Sequence, residues 1–295
     1  PGEAGESGWI YPFGTLHNEN RIWWPMARPW MEYLARNSFM LQQGNFVGDV
    51  LFFYGDSAPN FVKAKHIDPS LGFGYDYDVT NTEILVNKLT VEEGRLVLPH
   101  GPSYEVLVLP EEDYMLPAIV KKLMELAKKG ATIVGPKPVR SHGLFNSRQN
   151  DSLVRVLADS LWGECDGVDI LENEFGKGRV VWGKSIRRVL HEKGVDPDFS
   201  FIGNSDSTGI DYIHRRQGDN DFYLVRNTTD SAFTGEGSFR VSGKRPEYWN
   251  PVTGEITPCT LYDSDHNSTT VALHLSKYES IYVVFSDKKE VPHYT

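Results

Sequence analysis

Four short apolar runs, "DVLFFYG" (49–55), "YEVLVLP" (104–110), "ATIVG" (131–135) and "GRVVWG" (178–183), each close on Gly or Pro and are separated by helical patterns. Their apolarity is continuous instead of alternating, which predicts strands covered on both faces; strands and helices taken in turn predict an open, mostly parallel sheet. In "MLPAIVKKLMELAKKGAT", Leu116, Ile119, Val120, Leu123, Leu126 and Ala127 form one stripe, the lysines form the other, and Gly130 supplies a cap. "DSLVRVLADSLWG" predicts a further helix, and Thr80 with Glu83 a capping box before "ILVNKL". The pattern changes near Pro197. From Ile210 onward, "IDYIHRRQGDNDFYLVRN", "GSFRVSG", "TTVALHL" and "SIYVVF" are short strands separated by turn clusters such as "QGDND" and "NPVTGE". An α/β unit followed by an antiparallel β-sandwich is the expectation.

Ahead of both units, an amphipathic helix is predicted from about Trp30 to Leu41. Trp30, Tyr33, Leu34, Met40 and Leu41 fall in one stripe, Arg28, Glu32 and Arg36 lie opposite, Pro25 and Pro29 belong at its beginning, and Gly44 is placed to end it.

A chain of 295 residues has room for two compact units, each with its own core. Its formal net charge of -10, with no basic stripe, argues against a nucleic-acid partner, because neutralising phosphates takes clustered Lys and Arg. No apolar run approaches the roughly 20 residues that span a bilayer, so no membrane segment is expected, and no signal-peptide pattern opens the numbering. Cys165 and Cys259 stand far apart, outside any CxxC spacing, and read as unpaired thiols.

Motif by motif, the usual chemistries of an α/β unit fall away. "GFGYDYD" has Gly72 and Gly74, but Tyr77 stands at the third glycine position and no strand precedes it, so a dinucleotide cradle is not expected. The turn after "VLVLP" offers Glu111, Glu112 and Asp113 and no nucleophile. "DSDHN" places Asp263, Asp265 and Asn267 at alternate positions, as a calcium loop begins, but Ser268 replaces the required glycine; a solvated hairpin tip is expected. Asp76 and Asp78 share one side of an extended "YDYD", which suits a metal, a sugar hydroxyl or a plain polar loop face.

The stretch "FGTLHNENRIWWPMARPW" concentrates His17, Asn18, Asn20, Trp23 and Trp24 before the first helix. Sugars need that mixture, since hydroxyls take polar partners and C–H faces pack on aromatic rings. From residue types alone the favoured reading is plainer: tryptophans as core residues flanking a helix and His17 as a hydrogen-bonded side chain.

"PFGTLHNENRIWWPMARPWMEYLARNSFMLQQGNFVGDVLFFYG", followed in collinear order by "GYDYDVTNTEIL", "GRLVLPHGPSYEVLVLP", "KKGATIVGPKP" and "SGKRPEYWNPVTGEI", resembles glycoside hydrolase family 106, the α-L-rhamnosidases, and related glycosidases. The resemblance implies the C-terminal part of such an enzyme. Its parts would be an N-terminal remnant of a (β/α)8 barrel (residues 1–45), a Rossmann-like domain with an open parallel sheet (46–197) and an antiparallel β-sandwich (198–295). It implies inverting glycoside hydrolysis, with catalytic acid and base on upstream barrel strands and therefore unassigned here. His17, Asn18, Trp23 and Trp24 carry over as substrate-contacting positions, although Leu16 separates Thr15 from His17 where the family pattern joins Thr to His. No cofactor is implied in this chain, and calcium belongs to the full-length enzyme. The implied partners are an oligosaccharide or plant-type glycan and the upstream barrel of the same polypeptide. The rival readings are a carbohydrate-binding module, with Tyr248, Trp249 and Tyr262 as its platform, and purely structural accessory domains. N-x-Ser/Thr triplets stand at Asn150, Asn227 and Asn267.

Overall fold

The structure is a computed structural model that describes residues 17–19, 21–58, 60–62, 71–203 and 209–287. Asn20 lies outside these residues. The chain is rich in β-structure, with mixed and antiparallel sheets and five α-helices among the described residues: α1 (Arg28–Leu41), α2 (Thr82–Asn87), α3 (Pro117–Lys129), α4 (Ser147–Trp162) and α5 (Ile186–Glu192). None of them is long and apolar enough to cross a membrane.

The four apolar runs meet in one six-stranded sheet. Its order is Tyr77–Thr80, Val50–Phe53, Val106–Val108, Thr132–Val134, Gly178–Val181 and Glu172–Phe175, parallel throughout except for the last pair. Continuous apolarity has the expected cause, two covered faces. Leu51, Leu107, Ile133 and Val180 enter one core with Leu123, Leu126, Leu161 and Trp162 of α3 and α4. Val50, Val106, Val134 and Val181 turn to the other, against Leu71 and Val189 and Leu190 of α5. Each such side chain removed from water contributes about 1.5–3 kcal/mol, so alternate residues of one strand stabilise opposite faces. Trp162, fully buried, satisfies its indole by donating to the Gly135 carbonyl at 3.1 Å. The cap of α2 sits one residue later than expected: the Asn81 side chain, not that of Thr80, accepts from the Ile84 amide.

The second half forms two antiparallel sheets. A six-stranded sheet runs Asn45–Phe46, Ile210–Gln217, Asn220–Asn227, Ser280–Ser286, Arg245–Trp249, Ile256–Pro258, and a four-stranded sheet runs Phe199–Gly203, Phe233–Phe239, Thr269–Leu275, Tyr262–Ser264. They share a core in which Tyr212, Tyr223, Val225, Val283 and Phe285 meet Phe199, Phe233, Phe239, Val271 and Leu273. The opposite face of the larger sheet is apolar too, through Phe222, Leu224, Tyr282 and Val284, and α1 covers it with Met40 and Leu41.

That docking revises the reading of α1. Trp30, expected in the buried stripe, is 40% exposed, while the polar Asn37 is buried and accepts a 3.0 Å hydrogen bond from the Tyr282 hydroxyl. Arg36, expected on the solvent face, donates to the carbonyls of Val252 at 2.8 Å and Pro251 at 3.1 Å. Gly44 lies beyond the helix end at Leu41. It serves a close approach instead: a Cβ there would stand 2.0 Å from the Arg216 carbonyl oxygen, and its φ is +54°. The chain thus leaves α1 directly into the short strand that pairs with Arg215 and Arg216.

Asn227, in one of the three sequons, is buried, and its amide donates to the Ser231 and Ser276 carbonyls, so the folded chain offers no acceptor there.

The α1 seam is testable. Asn37→Ala leaves the buried Tyr282 hydroxyl without its acceptor and is expected to cost about 1–3 kcal/mol in urea unfolding. Tyr282→Phe in the same background should recover part of it, because the orphaned group is then gone.

Candidate functional site

The aromatic stretch does come together. Trp24–Met26 forms a 3-10 turn ahead of α1, with Pro25 at its start where a missing amide costs least. The His17 ring meets Trp30 edge-on at 4.8 Å and Trp23 at 6.1 Å, Trp23 meets Trp30 at 5.7 Å, and Trp24 adjoins Trp23 at 6.0 Å. His17 is exposed, whereas Asn18, Trp23 and Trp24 are half-buried. The Asn18 carbonyl accepts from the Arg21 amide at 3.2 Å, which closes the turn between the histidine and the tryptophans. Three rings at edge-on angles make a faceted cluster that joins aromatic faces to an imidazole. Trp30 was missed as a member. Its signal was its nearness in sequence, in the first turn of α1 just after the 3-10 turn that follows Trp23.

Elsewhere the sequence candidates disperse. Tyr262 and Tyr248 pack on the core between the two antiparallel sheets, and Trp249 turns the other way, into the cluster beneath α1. Strand alternation separates neighbours 248 and 249, so the three rings form no coplanar platform. Asp78 accepts from the Tyr104 hydroxyl at 2.9 Å, and Asp76 is buried with one carboxylate oxygen on the Tyr77 amide. Asp265 accepts from the Asn267 and Ser268 amides at 2.8 and 2.7 Å, the polar hairpin tip that was expected; those bonds hold its pKa below the usual carboxylate value. Among the described residues no group of three or more His, Cys, Asp or Glu could hold a metal ion. Both cysteines are buried, and burial pushes their thiols up, as expected of inert sulfur.

The strongest electrostatics lie where the α/β sheet meets the antiparallel layers, and no sequence motif pointed there. Arg240 donates to Asp49 at 2.7 Å, approaches Asp198 at 3.4 Å, and donates through its other terminal nitrogen to the Asp196 carbonyl at 2.6 Å. Asp198 also faces His214 Nδ1 at 2.9 Å and accepts from the Tyr223 hydroxyl at 2.9 Å. On its other side, His214 Nε2 meets Asp221 at 2.9 Å, and Asp221 takes Arg216 at 2.6 Å and Lys244 at 2.8 Å. With a carboxylate on each ring nitrogen, fully buried His214 carries both protons. Burial alone would depress it, but Asp198 and Asp221 outweigh burial and raise its pKa. For Asp221 burial is likewise outweighed, by His214 first and then Lys244 and Arg216, and its carboxyl is held well below the usual range. Asp49 goes the other way: burial pushes it up to about 6 against the pull of Arg240. One Asp49 oxygen has no hydrogen-bond partner among the described residues. Strand alternation in "IDYIHRR" was the available signal, since Ile210, Tyr212 and His214 all turn inward.

Beside this network a cleft of about 960 Å³ opens between the two halves, bordered by Asp49, Arg95, Glu105, Arg216, Arg240 and the hairpin tip at 265–268. Arg95 and Glu105 form an ion pair across its floor.

With the geometry in hand, comparison with known proteins supplies the class. A family model described as alpha-L-rhamnosidase, glycoside hydrolase family 106, matches residues 4–263, and the chain belongs to that family. It is 34% identical over 275 residues to a Formosa agariphila protein named "Putative beta-glucuronidase", covering 93% of this chain and 22% of that protein. It superposes on the structure of a rhamnosidase from Novosphingobium sp. PP1Y with a TM-score of 0.81 and 33% identity, over 96% of this chain and 26% of the other. The chain thus spans about a quarter of the length of these relatives. A beta-galactosidase from Bacillus circulans sp. alkalophilus shares the fold alone, with a TM-score of 0.52 and 11% identity over 91% of this chain and 46% of the other.

The network sets a pH dependence. His214→Phe keeps a ring on Tyr223, which stacks on the imidazole at 3.8 Å, but strands two buried carboxylates. It is expected to cost about 3–5 kcal/mol near pH 6. Because the folded pKa lies above the ordinary 6.5, the histidine's contribution is complete below pH 6.5 and is lost as pH rises through the higher folded value. The gap between wild type and variant in urea titrations should therefore narrow toward alkaline pH.

Proposed function

We propose that this chain is the C-terminal, non-catalytic part of a glycoside hydrolase that cleaves α-L-rhamnosides, with its acid and base carboxylates upstream. The observation that carries the reading is the match to the rhamnosidase family over residues 4–263. The 33% identity and TM-score of 0.81 with the Novosphingobium rhamnosidase support it. In this reading residues 1–45 are the closing segment of a (β/α)8 barrel, 46–197 a Rossmann-like domain and 198–295 a β-sandwich. The strand order of the parallel sheet and the shared core of the two antiparallel sheets support the latter two.

His17, Asn18, Trp23, Trp24 and, with them, Trp30 form one wall of the sugar pocket. Their mixture of flat apolar faces and polar edges suits a deoxyhexose, which presents a methyl group and C–H faces beside its hydroxyls. Barrel enzymes place such walls on loops at the carboxyl ends of the strands. The loop contains a single carboxylate, Glu19, where inverting hydrolysis takes two. Calcium, in this reading, is held by upstream residues, and the ligand is an oligosaccharide or plant-type glycan.

The test is hydrolysis of an aryl-glycoside panel containing α-L-rhamnoside and β-D-glucuronide, by this chain and by a polypeptide extended upstream, in calcium and in chelator. Turnover of the rhamnoside by the longer polypeptide alone is the expected result. Trp23→Ala in it should lower kcat/KM about tenfold or more, on the scale of one lost aromatic contact. Turnover by the 295-residue chain itself would overturn the division of labour, and turnover of the glucuronide instead would overturn the substrate.

A further inference from the structure

The seam at Arg240 is not symmetric about its guanidinium. Asp198 belongs to the antiparallel side, where it also holds His214 Nδ1 at 2.9 Å and the Tyr223 hydroxyl at 2.9 Å. Asp49 belongs to the α/β side: its amide donates to the Asp76 carbonyl at 2.9 Å, and its carbonyl accepts from the Glu105 amide at 2.8 Å. The bond from Arg240 to Asp49 therefore crosses between the halves. A backbone bond crosses beside it, from the Asp198 amide to the Gly74 carbonyl at 2.7 Å. The cleft of about 960 Å³ opens directly against this seam, with Asp49, Asp198 and Arg240 in its border.

Parting the halves along that line treats the two carboxylates unequally. Asp198 keeps Arg240, His214 and Tyr223, which move with it, whereas Asp49 loses its guanidinium and gains water. In the assembled seam Asp49 is buried, one oxygen takes Arg240 at 2.7 Å, and the other has no hydrogen-bond partner among the described residues. A carboxylate solvated through one oxygen is costly to bury, and a proton on it removes most of that cost. The charges facing it do not reverse this. Burial is the larger effect and Asp198 adds to it, while Arg240 and Arg95 pull the other way, and the carboxyl is pushed up to about 6. Of the remaining ionisable neighbours, Glu105 is taken by Arg95 and Lys193, Arg216 by Asp221, and Asp76 accepts from the Tyr77 amide. The Tyr75 and Tyr212 hydroxyls are raised by their own burial and stay neutral.

We propose that this seam is a proton-operated latch: closing the halves on each other takes up one proton from water onto Asp49, parting them returns it, and the cleft is therefore held shut in mild acid and released toward alkaline pH. The direction follows from the raised carboxyl. A group that holds its proton more tightly in the closed form favours that form at low pH; the effect is complete below the ordinary 3.8 and gone above about 6. His214 does not enter, because Asp198 and Asp221 both stay on its own side of the seam. Asp221, held well below the usual range, remains ionised throughout.

Amide hydrogen exchange on the 295-residue chain tests this, read at the Asp198 amide, whose bond to Gly74 breaks when the halves part. With rates corrected for the intrinsic pH dependence of exchange, the opening equilibrium at Asp198 is expected to be about tenfold smaller at pH 5 than at pH 8. The amides of Leu107 and Tyr223, one in each core, report unfolding of either half and should not follow it. Asp49→Asn, neutral at every pH, should hold the seam equally closed across that range. In the wild type the Asp49 carboxyl carbon, followed by NMR, should titrate at about 6, and this measurement decides the matter if the variant does not fold. Four results would each overturn the latch: a flat opening equilibrium at Asp198, the same pH response in folded Asp49→Asn, exchange of Leu107 or Tyr223 in step with Asp198, and titration of Asp49 near the ordinary carboxylate value of about 4. The readout needs no hydrolysis, so failure of the rhamnosidase reading leaves it independent.

Discussion

Arg240 joins the two halves of the molecule. Its guanidinium lies between Asp49, at the head of a parallel strand, and Asp198, at the head of the antiparallel layers, 191 residues from the first of these partners. A cation with two buried carboxylates is stable only in this exact neighbourhood; taken singly, each group would be stranded away from water. The desolvation that lifts Asp49 to about 6 shows how closely the balance is drawn. His214 continues the arrangement inward, a second cation that shares Asp198 with Arg240 and adds Asp221, and the serial order of charges fixes where each sheet must stand. Apolar cores on either side supply the bulk of the free energy, but they are tolerant of small displacements in a way that hydrogen-bonded charges are not.

The parallel sheet was legible because its residues report their surroundings directly. Val106, Leu107 and Val108 are all apolar because both faces are covered. The antiparallel layers were legible for a different reason, short strands separated by turn clusters such as "QGDND" and "NPVTGE". The buried face of α1 was not. A helical stripe records which residues are apolar, whereas the partner sheet offers the Tyr282 hydroxyl as well as apolar side chains; Asn37 is inside because that hydroxyl needs an acceptor, and Trp30 is outside because it joins His17 and Trp23.

The clustering of His17, Trp23 and Trp24 was readable by residue type, since these residues are neighbours in sequence. The charge network was not, because its chemistry exists only when distant segments meet: Asp49 is an ordinary acidic residue until Arg240 and Asp198 arrive. Single residues at inward positions of a strand, such as His214, are the trace such networks leave in a sequence. That trace says that a partner exists and not which one it is.

The seam between α1 and the larger antiparallel sheet has a consequence for how the chain is made. Asn37 and Tyr282 are 245 residues apart, and the strand Ser280–Ser286 lies at the centre of the sheet that α1 covers. On the ribosome, α1 emerges long before that sheet can close, so Met40 and Leu41 meet Phe222, Leu224, Tyr282 and Val284 only after the α/β unit has been made. Contacts of such long sequence separation are entropically late. The contact between α1 and this sheet is therefore among the last to form, and the position of Trp30, and with it the ring cluster of His17 and Trp23, is set late.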